Sequence, residues 1–302
     1  MTAGAAAIAP RPALVLLGAA LTIVLWSGTA IANKVAVGHM DAMTAGILRS
    51  MLAGLIAGGL ALTARLPLPA GPTQWLLLLL SGIASFAVWP MFLSLGLGST
   101  SANHAALIMA MLPVCTGLIA ALFERRRPAP AWWAGVALAV AGTAFLIYSR
   151  DGGPSEVGAT LAGDLIVLAG VWICALGYVA GGRLSFAIGT WSTTFWGLAA
   201  ATTITVPVFL LLLDRTEWAA VSGPGWAAIA YLTICSSLVG YALWFWSLGR
   251  GGIARIGSFQ FAQPVLTVLF AIPLLGEHLT WQIAVSAVII LAGVAIAQRR
   301  SR

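Results

Sequence analysis

Ten apolar runs of membrane-crossing length follow one another along this chain with short polar breaks between them, at residues 13–32, 42–64, 74–95, 102–123, 131–148, 162–182, 190–213, 225–247, 253–275 and 281–298. About 20 residues of α-helix cover the ~30 Å of a bilayer's hydrocarbon core at ~1.5 Å per residue. Of the 302 residues 61% are hydrophobic and 8% charged, whereas a soluble domain carries roughly a quarter charged residues. A water-soluble surface cannot be built from this, and the fold class is all-α integral membrane with ten transmembrane helices.

Arg11, the apolar run from Ala13 to Leu25 and the small string Ala30-Ile31-Ala32 imitate a secretory signal. Removing that segment leaves an odd helix count and spoils both the charge pattern and the repeat described next, so it is kept as the first helix.

Lys and Arg placement sets orientation, because translocating positive charge is disfavoured. Numbering the helix ends alternately, one side collects Arg11, Arg65, Arg125, Arg126, Arg127, Arg183, Arg250, Arg255, Arg299, Arg300 and Arg302; the other holds Lys34, Arg49, Arg150 and Arg215. Eleven against four puts both termini in the cytoplasm of a bacterial-type inner membrane. The net charge of +7 is thereby read as topology rather than as a nucleic-acid surface. Cys115, Cys174 and Cys235 fall in separate apolar runs and read as packing residues, with no metal site and no cofactor implied.

The polar stretch from Ser149 to Glu156 divides the chain near its midpoint, giving a first half over 1–148, a linker over 149–161 and a second half over 162–302. Sliding the chain on itself by 151 residues brings Trp75 onto Trp226, Ser85 onto Ser236, Leu97-Gly98 onto Leu248-Gly249, Pro113-Val114 onto Pro264-Val265, and Ala141-Gly142 onto Ala292-Gly293. Five helices per half is an odd number, so the second repeat enters the membrane inverted, the plan of transporters with a midplane site between the halves.

On these residues the chain resembles the drug/metabolite transporter superfamily in its ten-helix branch of duplicated EamA-type halves. The resemblance rests on the Leu112-Pro113 and Gln263-Pro264 helices running on to Glu124 and to Gly276-Glu277, on Ala141-Gly142 and Leu291-Ala292-Gly293-Val294, and on the first-helix string Leu25-Trp26-Ser27-Gly28. Within the branch it is most similar to the YddG-type amino-acid exporters. The resemblance implies export of aromatic or neutral amino acids, or related small metabolites, through a cavity lined mainly by helices one, three, four, six, eight and nine.

Buried ionisable residues mark ion or proton pathways in membranes. Every carboxylate in the chain falls at a predicted helix end or in a loop, as do His39, His104 and His278. The midplane instead carries amides, hydroxyls, aromatics and prolines. Pro113 and Pro264 each lack an amide hydrogen and free the carbonyls of Met109 and Gln260, which predicts kinks that serve as hinges. Gln260 and Gln263 share a face and suit a zwitterion, being able both to accept and to donate hydrogen bonds. Trp26, Ser27, Ser85, Trp89, Met111, Trp172, Tyr178, Tyr241 and Trp244 complete the candidate substrate site, the aromatic faces offering cation-π attraction of roughly 0.5–2 kcal/mol per contact. Trp75, Trp132, Trp133, Trp226 and Trp281 lie at predicted helix starts and read as interface anchors, and Gly54 and Gly58 as a close-packing pair.

An intramembrane enzyme needs a nucleophile and base, or a metal cluster, at depth, and neither is visible. A neutral-solute or multidrug channel is the remaining alternative, though the interior lacks rings of charge. The expected partners are a small-molecule substrate and the lipid bilayer, with the chain acting as a monomer.

Overall fold

The structure is a computed structural model that describes residues 12–125, 128–149, 159–251, 256 and 258–298. Within them every element is helical. Eight helices are long and apolar enough to cross a membrane: α1 (Pro12–Val37), α2 (Ala42–Thr63), α3 (Pro72–Leu97), α4 (Ala102–Glu124), α5 (Pro130–Tyr148), α6 (Leu161–Ile188), α7 (Thr190–Leu211) and α8 (Gly223–Trp244). Two shorter apolar helices follow, α9 (Ala262–Leu275) and α10 (Trp281–Gln298). The central linker residues 150–158, the start of the ninth apolar run at 253–255, and Arg11, Arg126, Arg127, Arg255, Arg299, Arg300 and Arg302 of the charge pattern lie outside the described residues.

Large apolar side chains face outward along the bundle, among them Leu17, Leu62, Leu76, Leu211 and Val288, all exposed. Small hydroxyls turn inward. Thr22, Ser27, Ser50 and Thr143 are buried and each donates to the carbonyl four residues earlier, of Gly18, Ile23, Gly46 and Ala139. That pairing satisfies a hydroxyl without any water, so polar residues are tolerated at depth. Trp75, Trp133, Trp226 and Trp281 are exposed near helix starts, and Trp132 is half-buried against the core. Cys115 and Cys174 are buried in that core.

Helices approach closely where a side chain is missing. An added Cβ at Gly54 on α2 would meet the Leu198 carbonyl of α7 at 2.5 Å, and at Gly58 it would meet Ala199 at 3.3 Å. On α5, Gly135 lies under Gly293 and Ala297 of α10, while Gly142 lies under Ile289 and Ile290. Moving forward along α5 therefore means moving backward along α10, so the last helices of the two halves run antiparallel.

Four spans depart from, or are entered through a departure from, regular α-helix. In α3 the segment Ile83–Val88 is π-helical and ends just before Pro90, whose ring nitrogen has no hydrogen for the carbonyl four residues back. In α8 the π segment is Tyr231–Val239. The 151-residue shift carries 83–88 onto 234–239, within that second segment. α4 is interrupted: α-helix runs Ala102–Met109 and resumes at Leu112–Glu124 ahead of Pro113, with Ala110 and Met111 between them keeping right-handed helical dihedrals. α9 likewise begins after a 3-10 turn, Ser258–Phe261, with Pro264 as its third residue. Pro264 thus sits in the first turn, where a helix needs no amide donor, which corrects the expectation of a mid-helix kink there, whereas Pro113 lies at an interruption inside the span Ala102–Glu124.

The α5–α10 crossing yields a test. An added Cβ at Gly135 would lie 2.6 Å from the Gly293 carbonyl, and backbone cannot yield as a flexible side chain does. Gly135→Val should lower stability by about 1–3 kcal/mol or more, read as a lower melting temperature of the detergent-purified protein. An unchanged melt would refute close backbone packing there.

Candidate functional site

The string Leu25-Trp26-Ser27-Gly28 ties α1 to the second half, each residue in its own way. The Leu25 carbonyl accepts from the Tyr231 hydroxyl at 2.7 Å, and Trp26 Nε1–H donates to the Ser236 carbonyl at 3.0 Å. Ser27 Oγ lies 3.2 Å from the Gln263 carbonyl, and the Ser27 carbonyl accepts from Thr267 Oγ1 at 2.9 Å. A Cβ on Gly28 would overlap the Tyr231 hydroxyl. Thr29 and Ser236 hydroxyls, 2.8 Å apart, extend the seam. π-helical carbonyls and hydroxyls of α8 thereby hold α1 in register, and Trp26 is set with its ring 5.3 Å from both Tyr241 and Trp244.

Beside this seam lies a cavity of about 950 Å³, counting the part open to solvent. Trp26, Trp89, Tyr178 and Tyr241 supply its aromatic wall; Gln260, Gln263, Thr29, Ser236 and Thr267 supply neutral polar groups. Pro113 and Pro264 line it with the broken stretch Met109, Ala110 and Leu112. Every helix of the bundle except α5 and α7 contributes to the lining.

Eight of the thirteen residues singled out from sequence meet in this one cavity: Trp26, Trp89, Tyr178, Tyr241, Gln260, Gln263, Pro113 and Pro264. Gln260 reaches it from the 3-10 turn rather than from α-helix. Ser27 and Trp244 stand behind the wall, Ser27 as a tie between α1 and α9 and Trp244 packed on Trp26. Met111 is buried in the hydrophobic core next to the α4 break. Ser85 lines a neighbouring pocket with Tyr178 and Tyr241 and lies 3.5 Å from the Cys174 carbonyl. Trp172 is 40% exposed and lines neither space. Its position on α6 turns it to the outside of the bundle, so it is left out of the site.

Sequence reasoning placed Arg49 among the charges at helix ends; the structure places it inside. It is the eighth residue of α2, only 5% exposed, and it lines the cavity. Nη2 lies 3.4 Å from Ser237 Oγ, while Nε and Nη1 have no hydrogen-bond partner among the described residues. The signal was available in the spacing, since seven residues of helix precede it, about 10 Å of depth.

The carboxylates are engaged elsewhere. Asp164 and His104, 0% and 1% exposed, pair at 2.9 Å, and Thr100 donates to the same carboxylate. Glu277 accepts from the Ala102 and Asn103 amides at 2.6 and 2.9 Å, an acidic cap on the N-terminus of α4. Lys34 donates to the carbonyls of Leu97, the last residue of α3, and of Thr100 just beyond it, at 2.8 and 2.6 Å. These contacts tie the neighbouring ends of α1, α3, α4 and α6 to the α9–α10 loop.

The profile of the EamA-like transporter family matches residues 13–148 and again 161–298, which together make up most of the chain. The chain belongs to the EamA-like transporter family. It is a multi-pass membrane protein built from two such repeats. An uncharacterized transporter, YdeK of Bacillus subtilis (strain 168), is 30% identical over 280 residues, covering 92% of this chain and 94% of that protein. The aromatic amino acid exporter YddG of Ancylobacter novellus is 26% identical over 201 residues, 66% of this chain and 68% of its own. A probable terminal-alkyne amino-acid exporter of Streptantibioticus cattleyicolor is 24% identical over 229 residues, 74% and 72% of the two chains. A solved crystal structure shares the fold with a TM-score of 0.63 at 23% identity, over 95% of this chain and 96% of that one.

Proposed function

We propose that this EamA-like transporter is a secondary carrier that exports aromatic or neutral amino acids, or related small metabolites, by alternating access between two inverted five-helix halves. The observation that carries the reading is the cavity, walled by four aromatic rings and furnished with amides and hydroxyls, between helices of both repeats. Inversion is supported by the antiparallel crossing of α5 and α10 and by the correspondence of the π segments under the 151-residue shift. Amino acids enter the reading from the two exporters among the relatives and from side chains able to satisfy a zwitterion.

The α4 break and the 3-10 turn before α9 are the segments best placed to bend. Each is followed within three residues by a proline that lines the cavity. Broken helices beside a binding site are where carriers of inverted-repeat design concentrate their motion. A neutral-solute channel is the competing reading.

Purified protein in liposomes should show saturable uptake of labelled phenylalanine and counterflow driven by internal unlabelled amino acid; flux that neither saturates nor exchanges would favour the channel. Gln263→Ala should cut counterflow at low substrate roughly tenfold, the loss of one buried hydrogen bond, with its elution as a folded species retained. The backbone carbonyl that receives Ser27 and Thr267 survives that change, so unaltered flux would remove Gln263 from the site. Pro264→Ala should change turnover more than apparent affinity, and an equal turnover would dispose of the hinge.

A further inference from the structure

We infer that Arg49 is a carboxylate anchor in the central cavity, so that the substrates are small organic acids with an apolar body, amino acids included, and amines lacking a carboxylate are rejected. The inference rests on the proposed reading of this cavity as the substrate site, and it adds the group by which the substrate is held.

Three observations converge on it. The first is the guanidinium itself, buried, lining the cavity, and with Nε and Nη1 lacking hydrogen-bond partners among the described residues. A guanidinium carries five N–H donors in a rigid planar fork that matches a carboxylate with two parallel hydrogen bonds. Unpaired donors in a buried charge are unfavourable until an anion meets them.

The second is the sign of the cavity. Arg49 is the sole charged residue among its described lining residues, and no acid joins it there. Asp41 is used as the N-cap of α2, its carboxylate accepting from the Thr44 amide at 2.8 Å. Glu277 caps α4, and Asp164 is held by Thr100 and His104. With one positive charge and weak dielectric screening, the space attracts an anion and opposes a cation.

The third is how firmly the arginine is placed. The π segment of α8 meets it twice: Thr233 Oγ1 lies 3.5 Å from the Arg49 carbonyl, and Ser237 Oγ lies 3.4 Å from Nη2. Ser237 uses its own hydrogen on the Leu232 carbonyl at 2.8 Å, leaving its oxygen to accept from the guanidinium. One residue before Ser50, Arg49 also shares a turn with Gly46, where a Cβ would meet the Pro90 carbonyl of α3 at 2.7 Å. The backbone that carries the fork is thus packed against α8 and α3, and Ser237 of α8 meets Nη2 while the remaining donors stay available. Trp26, Trp89, Tyr178 and Tyr241 provide the wall for an apolar body, and Gln260 and Gln263 the partners for a second polar group.

The test uses three probes that share one aromatic body. Detergent-purified full-length protein is melted with 3-phenylpropionate, L-phenylalanine or phenethylamine. The two carboxylates should raise the melting temperature at concentrations at least tenfold below those needed for the amine. Arg49→Gln should weaken the carboxylates roughly tenfold to a hundredfold and erase the preference, with Arg49→Lys falling between. Should Arg49→Gln not fold, Arg49→Lys and the wild-type preference still decide. Equal stabilisation by the amine, an acid preference that survives in Arg49→Gln, or no stabilisation by either acid would each overturn the inference. Counterflow in liposomes keeps the two readings apart: acids that bind through Arg49 without any saturable flux would sink the carrier and leave the anchor, whereas saturable counterflow of phenethylamine alone would do the reverse.

Discussion

Every backbone amide and carbonyl in hydrocarbon has to be paired by the protein itself, and the rest of this structure follows from where that rule is kept and where it is relaxed. Across most of the bundle it is kept by unbroken α-helix, with buried Thr and Ser folded back onto carbonyls of their own helix. Apart from the prolines inside α7 and α9, Pro207 and Pro273, the relaxations among the described membrane helices are the π segments of α3 and α8, the break in α4 and the 3-10 turn before α9. All four adjoin the same space. Trp89 follows the first π segment and Ser236 sits within the second, Met109, Ala110, Leu112 and Pro113 belong to or flank the break, and Gln260 belongs to the turn; all of these line the cavity. Irregular backbone is affordable in a membrane only where protein or a polar cavity receives it, so the interruptions and the cavity are one feature.

That relation explains what could be read in the sequence and what could not. Hydropathy is a property of whole segments, and it survives folding; the apolar runs correspond closely to α1 to α8, while α9 begins later than its run because the chain enters it through a 3-10 turn. The prolines announced discontinuities, but sequence could not tell a kink inside a helix from the start of a new one, since in both the carbonyl four residues earlier receives no proline amide. Arg49 was misjudged for a different reason. This lone arginine in the first half of a helix reads as an end charge although seven helical residues precede it, and the packing of α8 against α2 shows that its side chain is enclosed. Trp172 is the converse case: it is as deep in sequence as Trp26, but α6 is apolar on every face, so its pattern does not say which face looks inward.

The two repeats obey the same plan without being equivalent. Residue 26 of α1 faces Ser236, and its counterpart at the 151-residue shift, Gly177 of α6, faces Ser85. In the first pairing a tryptophan ring occupies the seam and forms cavity wall; in the second, a Cβ on Gly177 would overlap the Ser85 hydroxyl, and the helices close on one another. The cavity accordingly lies toward α1, α8 and α9. The helix ends differ in the same manner. Gly276 takes a left-handed φ of +67° after α9, as Arg125 does at +51° after α4, and only the second half follows the glycine with a glutamate that caps a helix of the other repeat. A left-handed backbone is easy for glycine and strained for arginine, so the second half has the more relaxed version of this turn.

The same asymmetry determines how many charges the cavity holds. The counterpart of Arg49 under the shift is Ala200 of α7, packed beside the apolar cluster of Leu78, Leu184 and Ile188. Duplication therefore did not yield a matched pair of cations at these two positions, and among the described lining residues a single guanidinium stands in the space between the repeats. It belongs to α2 of the first repeat and is held by hydroxyls of α8 in the second, which makes it sensitive to any relative movement of the two. A ligand can shift a conformational equilibrium only by binding its states unequally. An anion on Arg49 meets that condition without a carboxylate relay, because the donors that would receive it are positioned by one repeat and supported by the other.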